Sequence, residues 1–301
     1  TNREIAQALH ISPDTVKYHV SHVLERLHGQ RRYELAGYTL DPTEIKRLNR
    51  EMERGKEFWW YTCIGPKWEG MNYFIDELAT APRIHPWMNY LYGVTGILYW
   101  NTTKWKNVDY DPWEDPMTYP GGNGDGNLLY PGSKVGIDAP VASMRLKLLR
   151  EGIEDNELLF QLREKLEEAA RRIGGKAGLY APSTRLFEHA YALVTPEGRS
   201  NELGEKTPYL MFVTKDYRDI ERQRKEVVAE IESALSPPLL LTATTPRDHG
   251  FTKKDYAIVM GFMQDNATVK VNGEKAMTKG NQFRAKVPLS KGRNEIVIEA
   301  T

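Results

Sequence analysis

The sequence predicts a multidomain chain in which an α/β part precedes an all-β part, and three observations predict it. Apolar residues recur at three- and four-residue spacings through the first 39 positions, which is the helical period. All seven tryptophans fall between Trp59 and Trp113, where short apolar runs alternate with a helical pattern. From residue 239 onward, apolar and polar residues alternate with the period of two expected of half-buried strands.

Composition sets the outer bounds. With 301 residues, 40% of them hydrophobic, the chain has apolar material for two or three cores of ordinary size. Its 41 basic and 41 acidic residues cancel, so attraction to nucleic acid or an anionic membrane must come from a local patch. Cys63 is the single cysteine, which rules out an intrachain disulfide. No apolar run approaches the roughly 20 residues of a membrane helix. The chain opens on Thr1 inside a helical pattern, so a preceding segment is expected.

Taken in order, residues 1–39 place Ile5 and Leu9 on one helix. Ser12 as N-cap and Pro13 at the first helical position then start a second, carrying Val16, Val20, Val23, Leu24 and Leu27. The face opposite the valines presents Lys17, Tyr18 and Ser21, and a helix of this kind can lie in a major groove and offer a few side chains to base edges. Residues 40–56 form a polar, helical connector. FWWYTC then reads as a buried strand, PRIHPWMNYLYG as a helix and GVTGILYW as a second buried strand. DPWEDPMTYPGGNGDGNLLYPG is too rich in Gly and Pro for either and reads as a long loop. An amphipathic helix follows from about Ala142 to Arg172, and DYRDIERQRKEVVAEIESAL is another. Pro237 and Pro238 mark a linker. In residues 239–301, AIVMGF, ATVKV, FRAKVPL and NEIVIEA read as strands, and Asn272-Gly273 as a tight hairpin turn.

Candidate site residues follow from chemistry. Flat aromatic side chains stack on the apolar faces of pyranoses while polar neighbours satisfy the hydroxyls. In parallel α/β architectures, ligands meet the C-terminal ends of strands. The binding candidates are therefore Trp60, Tyr61, Thr62 and Cys63 after the first strand, and Trp100, Asn101, Lys104 and Trp105 after the second. Trp113 and the loop acids Asp111, Glu114, Asp115 and Asp125 join them as contacts to sugar hydroxyls, whereas Trp59 and Tyr99 read as core. A phosphate cradle in GGNGDG would lack the Lys and the strand-loop-helix order of a P-loop. Arg83 beside Pro82 reads as a helix anchor through ion pairing. His19 and His22 are one helical turn apart without a third ligand at usable spacing, so no metal is expected, and no cofactor.

Three family resemblances attach to these residues. TNREIAQALHIS, TVKYHVSHVLERL and RRYELAGY resemble the LuxR/FixJ-type helix-turn-helix. That resemblance implies that Lys17, Tyr18 and Ser21 face duplex DNA with Arg31 and Arg32 near phosphates. The family's domain begins with one more helix, so the motif at 1–39 is partial. Residues 1–32 hold five Lys or Arg against three Asp or Glu, a net of +2, and the competing reading is that these helices merely cap the next domain.

The runs WWYTCIGP, FIDELATAPRIHPWMNYLYGVTGILYWNTTKW, DPWEDPMTYPGGNGDGNLLYPG and ASMRLKLLREGIEDNELL are similar to the C-terminal part of the barrel in family 123 glycoside hydrolases. The resemblance covers about residues 57–170 and continues more weakly to about 235. It implies a (β/α) barrel acting on β-linked N-acetylhexosamine with retention, through participation of the substrate's acetamido group, and a pair of carboxylates to support that route. In such enzymes the adjacent Asp-Glu pair lies upstream of the WWY segment. Asp76-Glu77 is the adjacent pair within the aromatic region, in a different place in the motif, and no catalytic residue is assigned. Finally, TVKVNGEKAMTKGNQFRAKVPLSKGRNEIVIEAT resembles small bacterial immunoglobulin-like modules, with Val269, Val271, Phe283, Val287, Leu289, Ile296 and Ile298 as its buried alternation.

The expected architecture is a partial (β/α) barrel at 57–236, preceded by a helix-turn-helix segment at 1–39 and followed by an immunoglobulin-like β-sandwich at 239–301. The expected function is that of a carbohydrate-active protein of the β-N-acetylhexosaminidase type without its catalytic pair, its partner a glycan or N-acetylhexosaminide. The alternatives are a LuxR-type transcription regulator with a glycan-sensing or structural C-terminal part, and a purely binding module. The first motif belongs in the cytoplasm, the other two after export.

Overall fold

The computed structural model describes residues 50–63, 72–107, 111–118, 120–179, 182–197, 210–245 and 252–301. The chain divides into two compact units, Thr1–Leu35 and Ala36–Thr301, and everything described belongs to the second. Lys17, Tyr18, Ser21, Arg31 and Arg32, with the helix-turn-helix they belong to, lie outside the described residues.

The first layer is a β-α-β unit: β1 (Trp59–Thr62), α1 (Ala81–Tyr92) and β2 (Gly96–Tyr99). The two strands pair in parallel, Trp59 opposite Gly96 and Thr62 opposite Tyr99. Gly96 is required here, because a Cβ on it would stand 2.6 Å from the Trp59 indole. Helix α1 carries Pro82 in its first turn, where a missing N–H costs nothing, and stops at Gly93, whose φ of 66° lets its N–H return to Asn89 and Tyr90. Ala81, Arg83, Ile84, His85, Trp87 and Met88 are all at most 1% exposed, so α1 is covered around most of its circumference. That explains why its sequence is apolar without a clean stripe.

A short antiparallel pair, β3 (Leu129–Tyr130) and β4 (Val141–Ala142), closes the long loop before α2 (Met144–Ile173). Ser143 caps α2 by accepting from the Leu146 N–H at 3.2 Å. Its buried positions, Leu148, Gly152, Asp155, Leu159, Leu162, Leu166, Ala169 and Ile173, alternate steps of four and three along one stripe. Gly152 is the closest approach to α1, since a Cβ there would lie 2.4 Å from the Arg83 carbonyl oxygen. Helix α3 (Pro182–Leu193), the hairpin β5 (Val194–Glu197) with β6 (Leu210–Val213), and α4 (Tyr217–Ser233) complete the helical layer.

The C-terminal module is all β: β7 (Leu240–Thr245), β8 (Tyr256–Met263), β9 (Val269–Val271), β10 (Glu274–Lys275), β11 (Met277–Lys279), β12 (Gln282–Pro288) and β13 (Ile298–Ala300). They form two antiparallel sheets ordered β11-β12-β8-β7 and β10-β9-β13. Val259, Met263, Val269, Val271, Ala276, Phe283 and Val287 fill the core, with Ile296 and Ile298 partly buried against it. Leu289, expected inside, is only half buried. Asn272 and Gly273 both have positive φ, 50° and 82°, as a type I′ hairpin turn requires. Asn281 Nδ2 donates to the Gly174 carbonyl at 3.1 Å, fastening this module to the end of α2.

The strands and helices expected from periodicity after residue 57 are therefore present, with two differences: NEIVIEA is strand only at Ile298–Ala300, and β2, expected to be buried, is half buried along its length. Among the described residues the sheets stay small and none closes into a barrel; the (β/α) architecture is represented by the single β1-α1-β2 unit.

Candidate functional site

Because β1 and β2 are parallel, the chain leaves both strands at the same end of the pair, and the described residues 72–80 and 100–107, 111–118 and 120–143 follow them. These loops are stitched together. Ile75 N–H donates to Asn123 O at 2.9 Å, Asn123 Nδ2 to the Asp76 carboxylate at 2.7 Å, and Asn72 Nδ2 to Cys63 O at 3.2 Å. Arg145, buried at the start of α2, reaches into both: it donates to the carbonyls of Tyr73 (2.5 Å), Gly124 (2.7 Å) and Asn127 (2.5 Å). A guanidinium spread over three carbonyls fixes a loop that has almost no secondary structure of its own.

Asp125 has the most closely held carboxylate in that loop. It is 1% exposed, and its Oδ1 accepts from Tyr99 OH at 2.9 Å and from Trp100 Nε1 at 2.8 Å. Tyr99 OH in turn accepts from Gly126 N–H at 2.7 Å. Burial, and then the neighbouring Asp125 charge, push the Tyr99 phenol far above its ordinary pKa, so it stays a proton donor. The glycines of GGNGDG have a steric purpose. Gly124 and Gly126 both have φ of 72°; a Cβ on the first would meet the Arg145 guanidinium at 2.8 Å, and on the second Trp100 at 2.6 Å. Gly124 and Gly126 leave the room through which Arg145 and Trp100 enter the loop.

The structure thus sorts the expected binding residues. Trp100 and Asp125 hold each other, and Lys104 Nζ lies 5.5 Å from the Trp100 ring centre. Asn101 Oδ1 accepts from the N–H groups of Thr102 (2.8 Å) and Thr103 (3.0 Å), which shapes a turn. Tyr61 is half buried on β1 opposite Leu98, and Thr62 is fully buried. Trp60 stands on β1 opposite Ile97, and its side chain lies outside the described residues. Trp59, expected as core, is instead 40% exposed.

Two tryptophans hang from one strand edge. Trp105 Nε1 donates to Leu129 O at 2.7 Å and Trp113 Nε1 to Pro131 O at 2.9 Å; carbonyls two residues apart point the same way, about 7 Å from each other. Trp105 is half buried, whereas Trp113 is 42% exposed and packs against Tyr130 with ring centres 5.0 Å apart. Asp111 lies beside it, accepting the Trp113 N–H at 3.0 Å and pairing with Lys134 Nζ at 2.8 Å. Lys134 and that N–H hold the Asp111 carboxyl below the usual range. An exposed indole, a phenol, a carboxylate and an ammonium thus share one shelf. Glu114 and Asp115 are exposed beside it.

Periodicity gave no warning of the buried polar residues elsewhere in this unit. Tyr73 OH and His85 Nδ1 are 2.7 Å apart, and burial pushes the imidazole down to about 3, so it is neutral. Arg83 is anchored, as its position beside Pro82 suggested. It meets Asp155 at 2.8 and 3.2 Å, Glu221 at 2.5 Å, Glu151 at 3.2 Å and Tyr217 OH, while Trp87 Nε1 and Arg224 also reach Asp155. Between α3 and α4, His189 Nε2 lies 2.7 Å from Glu230, which Arg185 also contacts at 3.1 Å. Asp76 and Glu77 lie between β1 and α1, where Asp76 accepts from Asn123 Nδ2. Among the described residues no group of three or more His, Cys, Asp or Glu could hold a metal ion.

Comparison with known proteins supplies the family. Over 63 residues the chain is 41% identical to bacillopeptidase F of Bacillus subtilis; this is 20% of the present chain and 4% of that protein's length. The model of the glycoside hydrolase 123 catalytic domain matches residues 5–162, from upstream of β1 into α2 and across positions where the sequence suggested a helix-turn-helix. No described residue bears on DNA binding. With just over half of its 301 residues matched, and with the β1-α1-β2 unit and both of its loops inside the match, the chain belongs to the glycoside hydrolase 123 catalytic-domain family.

Proposed function

We propose that this chain recognises β-linked N-acetylhexosamine residues of a glycan on the Trp113 shelf and does not itself hydrolyse them. The carrying observation is the division of roles between two aromatic-carboxylate pairs. Asp125 and Trp100 satisfy each other in the interior, whereas Trp113 keeps an open indole face beside the Asp111–Lys134 pair. A sugar's apolar face stacks on Trp113, its hydroxyls are met by Asp111 and Lys134, and Tyr130 holds the indole at its tilt. Glycan turnover with retention through the substrate's acetamide needs two carboxylates, one to protonate the leaving oxygen and one to orient the acetamide. Asp111 is engaged by Lys134, and Asp125 is enclosed by Tyr99 and Trp100. The C-terminal β module is read as an immunoglobulin-like spacer that holds the end of α2.

The test is a titration of tryptophan fluorescence with chitobiose and with N-acetylgalactosamine, beside an assay of aryl N-acetyl-β-hexosaminide hydrolysis. Saturable quenching that disappears in Trp113→Ala, without aryl alcohol release, supports the reading. Release of the aryl alcohol defeats it, and loss of that release in Asp76→Asn or Glu77→Gln would assign the acid pair to Asp76-Glu77.

A further inference from the structure

The outer face of the four-stranded sheet is a second surface with a chemistry of its own. Alternation along β8 sends Ala257, Val259 and Met263 inward and Tyr256, Ile258, Met260 and Phe262 outward. The register then aligns Met260 with Arg284 and Arg284 with Met277, Ile258 with Lys286, and Gln282 with Lys279. Met260 and Met277 are 43% and 80% exposed, and Lys279, Arg284 and Lys286 are exposed as well. Every charged residue in the four strands is basic: β7 and β8 carry none, β11 carries Lys279, and β12 carries Arg284 and Lys286.

Charge is segregated along the whole chain in the same sense. Residues 239–301 hold ten Lys or Arg against six Asp or Glu, a net of +4, so the remaining 238 residues carry −4. Lys254, Lys279, Arg284 and Lys286 form no ion pair among the described residues. Instead Lys286 Nζ stands 4.2 Å and Lys254 Nζ 5.5 Å from the centre of the Tyr256 ring. The ring restrains both ammonium groups above the sheet, which lowers the ordering cost of meeting an anion. Along β12 the two cations are two residues apart on one face, about 7 Å, so the cations run in a line with the strand.

We propose that this face binds an acidic polysaccharide, a linear glycan bearing carboxylate groups. A flat, cationic row with apolar side chains between its charges suits a polymer that presents both anions and sugar faces. A membrane surface fits less well, because Arg284 occupies the middle of the face between the two exposed methionines. The inference does not depend on the Trp113 shelf.

The probe is polygalacturonate, which has no acetamido group, titrated into the full chain at rising salt. Duplex DNA and phosphatidylglycerol–phosphatidylcholine vesicles are the competing polyanions. Saturable binding to polygalacturonate is expected, weakening on the order of tenfold or more between about 50 and 200 mM salt as counterions are released. The Arg284→Glu/Lys286→Glu variant, altered only at exposed positions, should lose at least about tenfold in affinity while keeping the wild-type melting temperature and chitobiose response. Absence of saturable binding, unchanged affinity in that variant, or tighter binding to DNA or vesicles would overturn the proposal.

Discussion

Residues 72–223 and residues 239–301 are built by opposite means. Among the described residues, the buried polar or charged side chains after Thr62, from Asn72 through Arg83, His85, Asp125, Arg145 and Asp155 to Gln223, all belong to the first region and none to the β module. Its core is apolar throughout, and its charges stand outside. The lesson is that this region uses buried polar groups in two ways, Asn72 and Arg145 satisfying loop carbonyls one by one and Arg83 with Asp155 joining two helices, whereas strands satisfy each other's backbone and leave only apolar packing to arrange.

This contrast can be broken or sharpened in order of expected effect. Asp155→Ala should be the most damaging change, because it takes the acceptor from the buried Nε and Nη2 of Arg83, leaving Glu221 and Glu151 at Nη1 alone, and removes the shared partner of Trp87 and Arg224. A loss of about 3–5 kcal/mol is expected by urea unfolding. Hydrogen exchange should show that loss in α1 and α2 with β8 and β12 still protected. Equal deprotection of the β module would mean that the two regions are one cooperative unit.

Asp125→Ala is expected to cost up to about 3 kcal/mol by leaving Tyr99 OH and Trp100 Nε1 without their acceptor. A stability change within about 0.5 kcal/mol would show that Asp125 is not a pin, and would reopen it as a ligand contact.

Acidification should weaken the first region through His85. Its folded pKa is depressed to about 3, so between that value and about 6.5 the unfolded chain binds the proton and the folded chain does not. The stabilisation is complete above about pH 6.5 and falls as pH drops, by about 2 kcal/mol between pH 7 and 5. His85→Gln should flatten that slope. An unchanged slope in the variant would remove His85 from the account.

Met277→Lys, on the exposed outer sheet face, is the smallest change and should stay within about 0.5 kcal/mol of wild type.

How much was legible beforehand follows the same division. Alternation through Val269, Val271, Phe283 and Val287 named core residues of the β module, because in a sheet the sequence period is itself the burial pattern. The Asn272-Gly273 turn and the strand-helix-strand order from Phe58 to Trp100 were equally readable. The site was much less so. Trp100 and Asp125 read as ligand contacts in sequence because indoles and carboxylates bind sugars, but that reading could not show that these side chains, 25 positions apart, hydrogen-bond to each other. Arg145 carried no signal, being one more cation on an amphipathic helix; its role exists only once the carbonyls of Tyr73, Gly124 and Asn127 converge. The crowding of glycine at 121–126 was the one available hint, since positive φ and missing Cβ atoms mark where something large must enter.

The most direct test of the central claim, recognition on the Trp113 shelf without cleavage, is to follow aryl N-acetyl-β-hexosaminide with the wild-type chain and with Trp113→Ala in parallel. Tryptophan fluorescence reports binding and aryl alcohol release reports turnover. Saturable quenching in the wild type alone, with no alcohol released by either, is the predicted result. Alcohol release by the wild type, or quenching that survives Trp113→Ala, would contradict it.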